Sequence, residues 1–253
     1  MPGLDDGLAY ELAANGIITC ESLADLANYQ PKKRAPICHD YKANARDYRI
    51  CGFPPPSSGA LAIGQMLGLL AHTDATTLAL QDGLPSAAWL HLYTEAARLA
   101  FADRAQYVAD PDFVAAPAGS WQSLLEPGYL AERARLIGPT SMKVGKPGTP
   151  GLTKTAYAAM PDQAEHGTSH ISIVDATGQA LAMTTTIEDG FGARLMVNTG
   201  GARSGGFLLN NELTDFSLVP SDAAGLPVAN RVEGGKRPRS SMSPTLVFDK
   251  ASV

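Results

Sequence analysis

The chain has 253 residues, of which 45% are hydrophobic, so it can form a buried core and is not disordered throughout. Its 20 basic and 25 acidic residues give a net charge of −5, and the one dense basic run is Lys32-Lys33-Arg34. A nucleic-acid surface needs clustered positive charge, so this composition argues against nucleic-acid binding. The length fits one larger α/β domain or two smaller domains.

Helical signals dominate the first half of the chain. Two short helices are predicted over 5–15 and 19–29, separated by Asn15-Gly16. A third helix is predicted over 60–71, after three prolines that stop any regular element. This apolar stretch is too short for a membrane span, which needs about 20 residues, and Gly64 and Gly68, one turn apart in it, suit close helix packing. No signal peptide is visible before it.

The clearest predicted helix covers about 85–109. Its apolar residues recur at helical spacing and are expected to form one face, opposite the charged positions. The residues predicted for the apolar face are Leu90, Tyr93, Ala97, Phe101 and Ala105, and the polar positions are Glu95, Arg98, Asp103 and Arg104.

The three cysteines are Cys20, Cys38 and Cys51, and their spacing gives neither a CxxC metal pattern nor an even disulfide framework. Cys38-His39-Asp40 contains the residue types of a zinc site, but adjacent strand residues point to opposite faces. No metal site is therefore predicted.

The second half of the chain changes character. Residues 139–167 are rich in proline and glycine without a sustained period, which predicts a flexible tether. Alternating patterns over 168–175 and 179–186, around the turn Ala176-Thr-Gly178, predict an antiparallel hairpin. Helices followed by strands indicate an α+β protein with helices layered on an antiparallel sheet.

Thr168 stands at the start of the first of these strands, directly after Gly167. A threonine there is an ordinary feature of most proteins. It has a chemical interpretation as well, because a hydroxyl nucleophile can use its own α-amine as the base once the preceding peptide bond is cut. The pKa of a free α-amine, about 7.7–8.0, suits that role near neutral pH.

Three polar groups follow within a short interval: Thr186 with Glu188, Asn210-Asn211-Glu212 with Asp215, and Ser240-Ser241. Each one alone has a structural explanation, as a strand threonine, solvated acids, a turn or a helix cap. The glycine pairs match no phosphate-binding loop, so nucleotide binding is not predicted.

Taken together, the motifs resemble the γ-glutamyltransferase (γ-glutamyltranspeptidase) family, in the family's order and from about residue 5 to the end. They are Pro54-Pro-Pro-Ser-Ser-Gly59, Ala102-Asp-Arg104 with Asp110-Pro-Asp-Phe113, Thr168-Ser-His170 with Val174-Asp175, Leu208-Leu-Asn-Asn-Glu212 with Asp215-Phe-Ser217, and Lys236-Arg-Pro-Arg-Ser-Ser-Met-Ser-Pro244. The resemblance implies an N-terminal-nucleophile hydrolase, an α+β fold built as an αββα sandwich and here incomplete. It further implies one precursor that cuts itself into a large and a small subunit.

On this resemblance, 1–167 is the C-terminal part of the large-subunit region, ending in a flexible loop before the cleavage site. Residues 168–253 are the N-terminal part of the small, catalytic subunit, and both regions form one structural domain. Gly167 donates the cleaved carbonyl, and Thr168 is the nucleophile. Thr186 hydrogen-bonds and orients it.

The substrate-binding positions follow by the same match. Glu188, Glu212 and Asp215 correspond to residues that hold the α-amino group of the γ-glutamyl moiety, and acidic groups suit an ammonium ion. Ser240 and Ser241 correspond to the pair that receives the α-carboxylate, as hydroxyl donors can.

The resemblance implies transfer or hydrolysis of γ-glutamyl groups, with glutathione or another γ-glutamyl amide as donor and water, an amino acid or a peptide as acceptor. It implies no cofactor and no metal. The segment 218–235 is expected to be a mobile lid. A periplasmic or extracellular location is expected from kinship.

The chain departs from the family pattern in two places. The family has an arginine that clamps the substrate carboxylate and a Gly-Gly pair that supplies the oxyanion donors, and neither is found in this chain. Losing one oxyanion donor typically lowers kcat by ~10²–10³-fold. The isolated fragment is therefore expected to be inactive or a poor catalyst.

Two alternatives stay open. One is an acylase of the same architecture that acts on a glutaryl-type side chain, such as that of a cephalosporin. The acidic trio argues against it, because such a donor has no α-amine. The other is an inactive, truncated homologue that keeps the scaffold without cleavage between Gly167 and Thr168.

Overall fold

The computed structural model describes residues 30–43, 45–152, 156–165, 167–198 and 206–251. The helices predicted over 5–15 and 19–29 lie outside these residues. The described residues form two compact units: the smaller contains those in 30–34, 164–169 and 185–213, and the larger contains the rest. That residues 1–167 and residues 168–253 together form one structural domain stays a prediction for the complete protein.

The fold mixes helices and strands. Within the described ranges, the α-helices are α1 (Gly59–Leu70), α2 (Ala87–Tyr107) and α3 (Pro127–Ala134). The strands are β1 (Ile37–Ala43), β2 (Arg46–Gly52), β3 (Ser169–Val174), β4 (Ala180–Thr185), β5 (Met196–Asn198), β6 (Gly206–Leu208) and β7 (Thr245–Asp249). Short 3-10 turns cover Ala75–Thr77, Pro117–Gly119, Trp121–Leu125, Pro150–Leu152 and Glu212–Asp215.

The largest sheet joins strands from distant parts of the chain. Its order is β1-β2-β7, with both pairings antiparallel. Cys38 and Cys51 lie opposite each other on β1 and β2 and form a disulfide. This corrects the expectation that the cysteines give no disulfide framework, because strand pairing and not sequence spacing brings the two side chains together.

Helix α1 is the centre of the larger unit. It contacts β1 and β2 as well as α2 and α3. A Cβ atom added to Gly64 would lie 2.9 Å from Leu125, and one added to Gly68 would lie 2.5 Å from Leu130. The close packing expected of these two glycines is therefore confirmed, as is a helix at this position.

Helix α2 agrees with the prediction in extent but not in its buried face. The Ser86 side chain caps it by accepting a hydrogen bond from the Trp89 N–H at 3.2 Å. Of the predicted apolar face, the residues Leu90, Tyr93 and Phe101 are exposed, whereas the buried residues include Glu95, Asp103 and Arg104. The prediction of the face was wrong because these charged side chains have partners inside the protein, which removes the cost of burying them.

The first part of the predicted tether, residues 141–148, is bound to the helices. Glu95 accepts hydrogen bonds from the Ser141 hydroxyl at 3.1 Å and the Met142 N–H at 2.8 Å. Asp103 accepts from the Gly148 N–H at 2.7 Å, and Arg133 donates to the Lys146 carbonyl at 2.7 Å. The composition favoured flexibility here, but these bonds hold the segment on α2 and α3.

The hairpin predicted around residues 176–178 is present as β3 and β4. The Asp175 carboxylate accepts hydrogen bonds from the backbone of Thr177 and Gln179 at 2.8 and 2.9 Å. All residues of β3 are exposed, and so are Leu181 and Met183 on β4. Among the described helices, none is long and apolar enough to cross a membrane.

His39 makes stability depend on pH. Within the described part of the chain both of its ring nitrogens are buried and lack a hydrogen-bond partner. Loss of hydration lowers the pKa of His39, and Asp40 partly opposes this. The unfolded chain therefore takes up a proton at a higher pH than the folded protein, so stability is highest above the unfolded pKa of about 6.5 and falls as the pH drops through it.

We expect chemical unfolding between pH 8 and pH 5 to show this loss, and His39→Leu to reduce its slope. His72→Gln, at an exposed histidine, is the matched control and should keep the wild-type slope. An unchanged slope in His39→Leu would contradict the assignment.

Candidate active site

The predicted cleavage site lies in the smaller unit, directly before β3. The Thr186 hydroxyl, just after β4, donates a hydrogen bond to the Gly167 carbonyl at 3.4 Å. The same hydroxyl oxygen accepts from the Glu188 N–H at 2.8 Å. A donor on the Gly167 carbonyl oxygen polarises the carbonyl that Thr168 is predicted to attack.

Glu188 is held in an unusual backbone conformation next to these residues. It is 7% exposed, and its φ of 73° lies in the left-handed region, which costs a residue other than glycine about 1–3 kcal/mol. Its carboxylate accepts a hydrogen bond from the Asn211 side-chain amide. Such strain persists where surrounding bonds enforce it, and it is concentrated at functional sites.

Asn211 is the residue of the smaller unit that sequence reasoning missed. Its side-chain oxygen accepts from the Asp189 N–H at 3.0 Å, and its backbone N–H donates to the Ile187 carbonyl at 3.2 Å. Asn211 therefore fixes the segment of Glu188 beside Glu212. The Asn-Asn pair is typical of a turn, and nothing in its pattern indicates this cross-link.

The remaining acids lie at the two ends of one 3-10 turn, Glu212–Asp215. The Glu212 N–H donates a hydrogen bond to the Asn210 side-chain oxygen at 3.0 Å.

In the larger unit, the Asp215 carbonyl accepts a hydrogen bond from the Asn230 side chain at 2.7 Å. The Gln163 side chain donates to the carbonyls of Thr214 and Phe216 at 2.8 and 3.0 Å, which fixes the segment around Asp215.

Ser240 and Ser241 lie in the larger unit on a segment that pairs with the Pro54–Gly59 motif. The Ser240 carbonyl accepts from the Ser58 N–H at 2.8 Å and from the Ser58 hydroxyl at 2.9 Å. The Ser240 N–H donates to the Pro56 carbonyl at 3.2 Å. The early motif therefore fixes the backbone of Ser240.

The predicted site residues thus form two groups. Gly167, Thr168, Thr186, Glu188 and Glu212 belong to the smaller unit, and Asp215, Ser240 and Ser241 belong to the larger unit. Across the described ranges, no three His, Cys, Asp or Glu side chains are arranged to hold a metal ion.

Known proteins resemble this chain over nearly its whole length. The glutathione hydrolase proenzyme of Pseudomonas aeruginosa is 37% identical over 242 residues, which are 94% of this chain and 38% of that protein. The corresponding proenzyme of Escherichia coli is 37% identical over 245 residues, 95% of this chain and 38% of that protein. The acylase ACY 1 proenzyme of Pseudomonas sp. (strain SE83) is 34% identical over 242 residues, which are 96% of this chain and 37% of that protein.

A solved structure supports the fold. The cephalosporin acylase from Bacillus halodurans matches with a TM-score of 0.71 and 24% identity, covering 98% of this chain and 38% of that one. The chain therefore spans about 38% of the length of the relatives it matches. The sequence model of gamma-glutamyltranspeptidase matches residues 5–253. The chain accordingly belongs to the gamma-glutamyltranspeptidase family of N-terminal-nucleophile hydrolases, as its motifs predicted.

Proposed function

We propose that the protein carrying this chain transfers or hydrolyses γ-glutamyl groups, after cutting itself between Gly167 and Thr168. The observation that carries this proposal is the hydrogen bond from the Thr186 hydroxyl to the Gly167 carbonyl. In the cleavage, the Thr168 hydroxyl adds to that carbonyl carbon, the peptide C–N bond breaks, and an ester forms. Water then hydrolyses the ester, which leaves a carboxylate on Gly167 and a free α-amine on Thr168.

Catalysis reuses the hydroxyl oxygen and the backbone nitrogen of Thr168. The Thr168 hydroxyl attacks the γ-carbonyl of the donor while its α-amine takes the hydroxyl proton and passes it to the leaving amine. The product is a γ-glutamyl-threonine ester. Water then gives glutamate, or the amine of an amino acid or peptide gives a new γ-glutamyl compound. Glutathione is the donor we favour, since the relatives at 37% identity are glutathione hydrolase proenzymes.

The acids and serines suit the two charges of a γ-glutamyl donor. Glu212 and Asp215 are the first and last residues of one 3-10 turn. Asn211 connects Glu188 to this turn. Carboxylates bind an ammonium ion through charge-assisted hydrogen bonds, and the hydroxyls of Ser240 and Ser241 can donate to a carboxylate.

Asp215→Asn separates this proposal from the acylase alternative. Removing the charge should raise KM for a γ-glutamyl anilide by about 10-fold, the cost of one hydrogen bond to a charged group. KM for the glutaryl anilide, which lacks the α-amine, should change little. Initial rates over a range of substrate concentrations measure both values.

The matched control is Asp82→Asn, at an exposed turn residue, which should leave both KM values unchanged. Equal increases for the two anilides in Asp215→Asn would favour an acylase instead. The acylase is kept as a candidate because an acylase proenzyme is 34% identical to this chain.

Other features support the assembly and the location that we propose. The uncovered apolar side chains of β3 and β4 suit a central strand pair, covered in a complete αββα sandwich by further parts of the large and small subunits. The disulfide between Cys38 and Cys51 favours an oxidising compartment, such as the periplasm or the cell exterior.

A further inference from the structure

Asn230 is a buried polar residue of the larger unit that the reaction described above does not use. It is 1% exposed, and so are Val228 and Ala229 before it, so this part of the segment 218–235 is packed inside the unit. The Asn230 carbonyl accepts a hydrogen bond from the Ser217 N–H at 2.9 Å. Burying a side-chain amide is unfavourable unless its donor and its acceptor both have partners, so the partners of this amide indicate its role.

The Asn230 side chain joins two segments that carry proposed substrate-binding residues. Its Nδ2 donates a hydrogen bond to the Asp215 carbonyl at 2.7 Å, and its Oδ1 accepts one from the Arg239 N–H at 2.9 Å. Arg239 directly precedes Ser240 in the chain. Because a carbonyl can only accept and a backbone N–H can only donate, the two partners determine the orientation of the amide.

The two segments are assigned to two charged groups that a γ-glutamyl donor carries on one carbon atom. Asp215 is assigned to the α-ammonium, and Ser240 to the α-carboxylate. Two linked groups strengthen each other's binding only when the spacing of their binding sites allows both to bind at once. The Asn230 amide connects the backbone of one segment to the backbone of the other, so it fixes that spacing.

We propose that Asn230 is a positioning residue that sets the distance between the segments of Asp215 and Ser240, and thereby makes the site specific for donors with an ammonium and a carboxylate on the same carbon. The proposal rests on the proposed function. Asn230 needs no contact with the donor for this role, because it acts through the backbone of Asp215 and Arg239.

The test compares three donors in the native protein that carries this chain. The γ-glutamyl anilide has both charges, the 4-aminobutyryl anilide has only the ammonium, and the glutaryl anilide has only the carboxylate. Asn230→Ala should raise KM for the γ-glutamyl anilide about 10-fold and KM for the other two by less than about 2-fold. The kcat for the γ-glutamyl anilide should stay unchanged, as it does when binding common to the ground state and the transition state is lost.

Initial rates measure the KM values, and inhibition constants of the two singly charged anilides against the γ-glutamyl anilide give the same comparison. If Asn230→Ala does not fold, Asn230→Ser, which keeps one hydrogen-bonding group, should show a smaller increase with the same selectivity.

Gln65→Ala is the matched control. Gln65 is 3% exposed, and its amide donates a hydrogen bond to the buried Asp103 carboxylate. This variant therefore also removes a buried amide and leaves its partner with one bond fewer, but away from the two segments. It should leave all three KM values unchanged.

A double variant tests whether Asn230 acts through Asp215. Asp215→Asn removes the charge that is assigned to the ammonium, so the position of this side chain then matters less. Adding Asn230→Ala to Asp215→Asn should therefore raise KM for the γ-glutamyl anilide by less than Asn230→Ala does alone.

The outcomes distinguish this inference from the function it rests on. Equal KM increases for the three donors, or fully additive effects in the double variant, would overturn the inference alone. So would a selective effect of Asp215→Asn with none from either Asn230 variant. No turnover of γ-glutamyl donors by the wild type would contradict the proposed function itself, and the inference with it.

Discussion

Thr168→Ala is expected to lower γ-glutamyl turnover by about 10⁴-fold or more, as removal of a catalytic nucleophile does in other hydrolases. The variant lacks the oxygen that forms both the maturation ester and the γ-glutamyl ester. It should therefore stay uncut between Gly167 and Thr168 as well as inactive. Initial rates with a γ-glutamyl anilide and gel electrophoresis of the purified protein measure the two effects.

Two threonine variants serve as controls for this loss. Thr168→Ser keeps a hydroxyl and an α-amine, so cleavage and measurable turnover should remain. Thr177→Ala removes an exposed threonine from the neighbouring turn and should have wild-type turnover. Wild-type turnover in Thr168→Ala would mean that another group is the nucleophile.

Asp103→Ala is expected to destabilise the larger unit by about 3–5 kcal/mol, the cost of leaving a buried charge without its partner. Asp103 is 1% exposed. Its carboxylate accepts hydrogen bonds from the side chains of Gln65 and Tyr129, both at 2.7 Å. It also accepts from the Arg133 guanidinium at 3.1 Å and from the Gly148 N–H at 2.7 Å. Burial raises the pKa of Asp103, and these donors oppose that rise. Without Asp103, the buried Arg133 guanidinium loses its counter-charge.

Chemical denaturation measures the loss, and a double variant assigns its cause. Arg133→Met in the Asp103→Ala background removes the unpaired charge, so the two substitutions together should cost less than the sum of the single ones. Replacing Asp47, an exposed aspartate on β2, with alanine should cost less than about 0.5 kcal/mol. A loss below about 1 kcal/mol in Asp103→Ala would contradict a central role for this carboxylate.

Local patterns predicted the elements that local forces determine. The proline stop and the apolar run gave α1, and the alternation around Ala176-Thr-Gly178 gave the β3–β4 hairpin. The buried face of α2 was predicted wrongly because its charged residues are neutralised by partners far along the chain. Asp103, for example, meets Arg133 and the Gly148 backbone, and no pattern within the helix records those contacts.

The candidate site shows the same contrast between local patterns and contacts of residues far apart in the chain. Its residues could be named from the motifs, but the groups that hold them could not. Ser58 and Ser240 are 182 positions apart, and Glu188 and Asn211 are 23 apart. Such pairs depend on how the chain folds back on itself, so only the three-dimensional arrangement reveals Ser58 and Asn211 as supports of the site.

The mass of the mature protein tests the central claim most directly. Intact mass spectrometry with N-terminal sequencing should find two polypeptides from the native gene product, one ending at Gly167 and the other beginning at Thr168. Their appearance should coincide with the onset of γ-glutamyl turnover. An uncut polypeptide with full turnover would contradict the account, because the Thr168 nitrogen would then still be part of a peptide bond and could not act as the base.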